Sequence, residues 1–129
     1  PKVIAMVDPH HLRLVLANLL DNAIKYSEEG SRVLLGVEPQ GDEVLVKVSD
    51  QGVGILPSDL GKIWDRLYRA DKSRSQRGLG LGLSLVKAIV EAHHGRVEVS
   101  SQPNRGSVFK VYLPTYLPAG LNPSGELKD

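Results

Sequence analysis

Apolar positions recur along this chain at two spacings, and the spacings divide it into elements. Leu12, Val15, Leu16, Leu19, Leu20, Ala23 and Ile24 follow the three-and-four rhythm of a helix. Asp8-Pro9 ahead of them supplies an N-cap and a proline at the first helical position. Gly30 can end that helix near Ser27 to Gly30. The apolar run Val3 to Val7 before it predicts a short strand. Val33, Leu35 and Val37 alternate with period two, as do Val44, Val46 and Val48. Arg32–Glu38 and Glu43–Ser49 therefore predict a hairpin across Pro39-Gln40-Gly41-Asp42.

From Asp50 to Arg77 the rhythm fades. Pro57-Ser58-Asp59 predicts the start of a brief helix, and a second apolar segment surrounds Trp64. Residues 66–77 are rich in Arg and Lys and poor in aliphatics after Leu67, the composition of a mobile loop. Leu85 with Ile89 and Val86 with Val90 then predict a helix from Leu83 to His94, ended by Gly95. Arg96–Ser100 and Ser107–Leu113 predict a second hairpin. Beyond Pro114 the chain carries Pro118, Gly120, Pro123 and Gly125, which predicts a flexible tail over 115–129 after a domain of 1–114. The order strand, helix, hairpin, loop, helix, hairpin predicts an α+β fold. It should be a two-layer α/β sandwich, its mixed, mostly antiparallel sheet carrying helices on one face. The other face is left to solvent or to a partner.

Composition narrows the function classes. The 129 residues suit one domain and contain no Cys, which excludes a disulfide scaffold and any cysteine-bearing zinc site. Lys+Arg 16 against Asp+Glu 15 gives a net charge of +1, so no overall field draws the chain to nucleic acid or membrane. No apolar run approaches the roughly 20 residues of a bilayer span.

Three short constellations carry candidate chemistry. Asn18 and Asn22 stand four apart, hence on one helix face, with Lys25 and Tyr26 nearby. Amide oxygens are hard, neutral ligands that suit Mg²⁺ together with phosphate oxygens and waters. Lys25 can offset phosphate charge and Tyr26 offers an aromatic face. The same two amides serve equally well as hydrogen-bond partners of a neighbouring loop. Asp50-Gln51-Gly52-Val53-Gly54 follows a strand, where a carboxylate can accept from an exocyclic amine and glycines let a flat ligand approach. It is equally a common turn. Gly78-Leu79-Gly80-Leu81-Gly82 opens a helix and frees backbone N–H groups at its positive end. It matches neither G-x-x-x-x-G-K-[ST] nor G-x-G-x-x-G. The histidine pairs His10-His11 and His93-His94 do not converge along the sequence, since adjacent helical residues face apart. They predict no metal site, although a cationic His93 or His94 suits a helix C-terminus.

The order of these constellations carries more than any one of them. Asn18 to Ser27 resembles the asparagine box of sensor histidine kinases, and Asp50 to Ile55 resembles their first glycine box. Ile63 to Arg69 resembles the phenylalanine box, with Trp64 and Leu67 where Phe is usual. Arg77 to Leu83 resembles the second glycine box, and Asn104 to Phe109 resembles the family's Gly-Ser/Thr-x-Phe hairpin. The resemblance covers about residues 1–114. It implies the ATP-binding catalytic domain of a two-component sensor histidine kinase, in the superfamily shared with gyrase, the ninety-kilodalton heat-shock chaperone and mismatch-repair ATPases.

That resemblance implies roles for residues. Asn22 would ligate Mg²⁺, with Asn18 near the ion and the triphosphate of ATP. Lys25 would contact phosphate, and Tyr26 would pack on the adenine side. Asp50 would accept from the adenine amino group, with Gly52 and Gly54 admitting the base. Arg77, Gly78, Leu79, Gly80, Leu81 and Gly82 would close over the phosphates, and the Asp50–Arg77 loop would form a flexible ATP lid. Asn18 stands where hydrolysing relatives tend to carry Glu, and a neutral amide is a poor general base.

The family's His-[Glu/Asp]-x-x-x-Pro acceptor box is absent, since His11-Leu-Arg-Leu-Val-Leu lacks both the acid and the proline. The implied γ-phosphate acceptor is therefore a histidine on separate dimerisation and phosphotransfer helices, and this chain alone should not autophosphorylate. A response-regulator receiver domain would be an indirect partner, with neither nucleic acid nor direct membrane contact. The isolated domain would be a monomer within a homodimeric, membrane-anchored bacterial kinase, and would lie in the cytoplasm. The alternatives are a protein-serine kinase of the anti-sigma-factor type and an ATP-sensing interaction module.

Overall fold

The computed structural model describes residues 4–65 and 82–115. Helix α1 (Pro9–Tyr26) starts where the sequence places its cap. The Asp8 carboxylate accepts the His10 N–H at 2.8 Å, and that bond holds its carboxyl below the usual range. Strands β1 (Val33–Gln40) and β2 (Glu43–Asp50) follow, then α2 (Gly82–Ala92), β3 (Arg96–Gln102) and β4 (Gly106–Pro114). The strands form one sheet in the order β1-β2-β4-β3, and every pairing among the described residues is antiparallel. The architecture is the α+β fold that the order of elements predicts.

The register explains why the core lies between sheet and helices. Val44, Val46 and Val48 of β2 stand opposite Leu113, Val111 and Phe109 of β4. Directly paired residues share a face, and all six are buried. Val15, Leu19 and Ala23 of α1 and Val86 and Val90 of α2 close over them. Both helices thus cover one side of the sheet. Trp64 meets this core edge-on, its ring 5.9 Å from that of Phe109, and ties the segment before residue 66 to the sheet. On the opposite side the Arg96 guanidinium lies 3.7 Å over the Tyr112 ring and reaches Glu43 and Glu98.

Local expectations shift in four places. Ile4–Val7 forms no strand; the segment gives one sheet-like bond, Met6 N–H to the Pro114 carbonyl at 2.8 Å. An apolar run is necessary for a strand but does not supply a partner with matching free groups. The brief helix expected from Pro57 is a chain of i to i+3 turns from Leu56 to Asp65, without the i to i+4 ladder. The second helix stops at Ala92, and His93 and His94 form its turn, His94 at φ 65. Leu35 and Val37 pair with Val48 and Val46 and so share the core face, yet they are about half exposed because β1 is an edge. The mobile loop expected at 66–77 and the tail expected from 115 onward lie outside the described residues, apart from Thr115.

Candidate functional site

Asp50 ends β2 with its side chain turned inward, and the residue is 8% exposed. Burial pushes its carboxyl above the usual range, and the N–H groups of Gly52 and Ser107, both donating to it, partly oppose that. The Gly52 bond is 2.9 Å long. Among the described residues its hydrogen bonds come from backbone N–H groups, which leaves the carboxylate acceptor capacity for a further polar hydrogen.

The loop after Asp50 is gripped from two sides. On one side the Val53 N–H donates to the Tyr26 carbonyl at the end of α1, at 3.3 Å. On the other, the Asn104 N–H donates to the Val53 carbonyl at 2.7 Å, and the Ile55 N–H donates to Ser101 Oγ at 2.7 Å. The glycines are what make this grip possible. A Cβ at Gly52 would run into the Tyr26 carbonyl, and one at Gly54 (φ +74) into the Gln102 carbonyl.

The other end of the site lies further back on α1. Asn18 is half-buried, and its Nδ2 donates to Leu14 O at 2.8 Å. That bond orients the amide, so Oδ1 is the atom turned toward α2, 2.9 Å from where a Gly82 Cβ would stand. Gly82 begins α2, whose first N–H groups carry the helix's partial positive charge. Asn22, Lys25 and Tyr26 are half-buried on the same helix, with Lys25 Nζ 5.2 Å from the Tyr26 ring centre. One helix thus joins a buried carboxylate near its C-terminus to a helix N-terminus near its middle. Asp50, Gly52, Gly54 and Tyr26 come together, as do Asn18 and Gly82. Arg77, Gly78, Leu79, Gly80 and Leu81 lie outside the described residues.

The family described as histidine kinase-, DNA gyrase B- and HSP90-like ATPase matches residues 7–117. The chain belongs to this family. Among curated relatives, the adaptive-response sensory kinase SasA of Synechococcus elongatus is 42% identical over 110 residues, covering 84% of this chain and 28% of that kinase. The chain therefore spans under a third of that relative. Among solved structures, the mycobacterial sensor histidine kinase MprB superposes with a TM-score of 0.75 at 34% identity, over 83% of this chain and 74% of that one. Full-length ShkA in complex with AMPPNP gives a TM-score of 0.72 at 30% identity, over 81% of this chain and 21% of that one. This member of the ATPase family shares the catalytic-domain fold of sensor histidine kinases.

Two features were not legible beforehand. Ser101 had no signal, being one serine at the end of a predicted hairpin. The histidine pairs meet after all: the His11 and His93 rings are 5.3 Å apart, edge to face. His93 Nε2 accepts the Asp8 N–H at 3.2 Å, so Nδ1 carries the proton and donates to Ile89 O at 2.8 Å. That neutral tautomer pins the start of α1 to the end of α2. No group of three or more His, Cys, Asp or Glu able to hold a metal occurs among the described residues.

Proposed function

We propose that the chain binds Mg-ATP and donates the γ-phosphate to a histidine on separate dimerisation and phosphotransfer helices of a sensor histidine kinase. The observation that carries this reading is the coupling of Asp50 to Asn18 and Gly82 through α1. A base amine accepted by Asp50 would lie beside Tyr26. The phosphates would then run along α1 toward the N-terminus of α2. Asp50 fixes the base, while Lys25 and the α2 N–H groups offset phosphate charge. Trp64, packed on Phe109, would anchor the Asp50–Arg77 loop, the proposed ATP lid, to the sheet.

The donor set fits Mg²⁺ in one specific way. Asn22 and Asn18 offer amide oxygens and no carboxylate cluster, so the protein would hold the ion together with phosphate oxygens and waters. The ion's contribution would be neutralisation of charge on the transferring phosphoryl group. Position 18 offers no base to activate water, which favours transfer to a protein acceptor over hydrolysis. Residues 1–114 would constitute this domain.

The test supplies labelled ATP, Mg²⁺ and an acceptor-helix domain in trans. Label on the acceptor's histidine is expected, with none on this chain alone. Asn22→Ala should abolish transfer and lower Mg²⁺-dependent ATP affinity at least about tenfold, the scale of losing a ligand to a charged group. Label on serine would instead mark an anti-sigma-type kinase, and binding without transfer would mark a nucleotide-sensing module. Label on His10 or His11 would overturn the fragment reading.

A further inference from the structure

The end of β3 and the turn after it grip the 51–55 loop, through the Asn104 backbone and the Ser101 side chain. The Ser101 Oγ takes the Ile55 N–H at 2.7 Å and lies 3.0 Å from the Gly106 carbonyl and 2.9 Å from Ser107 Oγ. A hydroxyl has one proton and two lone pairs. Donating to Gly106 O leaves both lone pairs for the Ile55 N–H and the Ser107 O–H, so a single proton order satisfies all three contacts. Ser107 in turn donates its backbone N–H to the Asp50 carboxylate. One hydroxyl thus joins the point where the loop leaves the site to the strand that steadies Asp50.

We propose that Ser101 is a positioning residue for nucleotide binding: it sets the path of Gly52–Ile55, and with it the gap in which a base reaches Asp50. The proposal rests on the ATP-binding reading above and adds a residue that touches no ligand. A backbone bond from Asn104 holds Val53, but that bond lies two residues earlier. Without Ser101, Ile55 keeps its side chain against the core while its N–H loses the partner that orients the chain there. Thr keeps the hydroxyl and suits a strand position, whereas Ala removes it.

The experiment measures Mg-ATP affinity by calorimetry and Ile55 amide exchange by NMR, in the parent chain, Ser101→Ala and Ser101→Thr. Ser101→Ala should weaken ATP binding about tenfold, the effect of one lost part-buried hydrogen bond, and speed Ile55 exchange. Ser101→Thr should restore both to near parent values. A purely structural serine would change exchange and melting temperature but leave affinity alone. Affinity within twofold of the parent in Ser101→Ala overturns the proposal, as does an equal loss in Ser101→Thr. Should Ser101→Ala not fold, Ser101→Cys, which keeps the volume with a weaker acceptor, takes its place with the same expected loss. A parent chain that does not bind ATP sinks the functional reading itself, and that outcome is visible before any variant is made.

Discussion

The two hairpins of this sheet turn at opposite ends, and among the described residues it is the β3–β4 end that carries a docked loop, beside the candidate site. Gly41-Asp42 joins β1 to β2 at the end where β2 pairs with Pro114. Nothing lies within 4 Å of where a Gly41 Cβ would stand. The turn between β3 and β4 lies at the end marked by Asp50 and Ser107, and the 51–55 loop docks against it through Asn104 and Ser101. Both regions use a glycine at positive φ, Gly41 at 60° and Gly54 at 74°. The first needs its glycine for the turn alone. The second needs it for the turn of the backbone and for closeness to another strand. Here the fold holds two backbones in contact beside a buried carboxylate, which fixes the path of the 51–55 loop.

The largest expected effect tests that closeness. Gly54→Ala adds a methyl that collides with the Gln102 carbonyl and also places an L-residue in the left-handed region. Overpacking and left-handed strain together should cost about 2–5 kcal/mol, read by urea unfolding. ATP binding should fall with it, because the loop cannot move away without carrying Val53 off both the Tyr26 and the Asn104 bonds. A loss below about 1 kcal/mol would mean that the loop yields freely, and the contrast between the hairpins would collapse.

Asp50→Asn separates function from stability within the gripped region. The amide cannot accept from an amine with full negative charge, so ATP affinity should fall about ten- to a hundredfold, the scale of a charge-assisted bond. Stability should move the other way. Burial raises the Asp50 carboxyl above its unfolded value. Its contribution to stability is therefore fully present below the unfolded value and lost as pH rises through the raised one. Asn does not titrate, so its stability relative to the parent should improve as pH rises from about 4, the ordinary carboxylate value, toward neutrality. Urea midpoints of both proteins across that range check this. A parent that gains stability over Asp50→Asn on the same rise would show an ionised Asp50 to be favoured by its surroundings, not tolerated for binding.

Much of this was legible in the sequence, for identifiable reasons. The helices and both hairpins follow from strong periodicity, from Asp8-Pro9 and from glycines at the boundaries, all local signals. Asp50, Gly52 and Gly54 read alone as a common turn, and only their place in the order of motifs singled them out as candidates. The Val3–Val7 strand and the helix from Pro57 failed because each rests on a short apolar or capping signal with no sustained period behind it. The meeting of His11 with His93, and the bond from Ile55 to Ser101, join residues 82 and 46 positions apart. No spacing rule reaches that far, because such pairs are set by how α1 lies beside α2 and how the loop lies on the hairpin.

The smallest expected effect is the one that gives the largest its meaning. Gly41→Ala meets no neighbour, so only left-handed strain remains, about 1 kcal/mol. ATP affinity should stay within twofold of the parent, since this turn and Asp50 lie at opposite ends of β2. Because Gly41 and Gly54 share nearly the same φ, the strain term is common to both substitutions. The difference between the two unfolding energies is then the cost of contact with the Gln102–Pro103 backbone. If Gly41→Ala proved as damaging as Gly54→Ala, backbone conformation would account for both, and the grip on the 51–55 loop would lose its claim to shape the site.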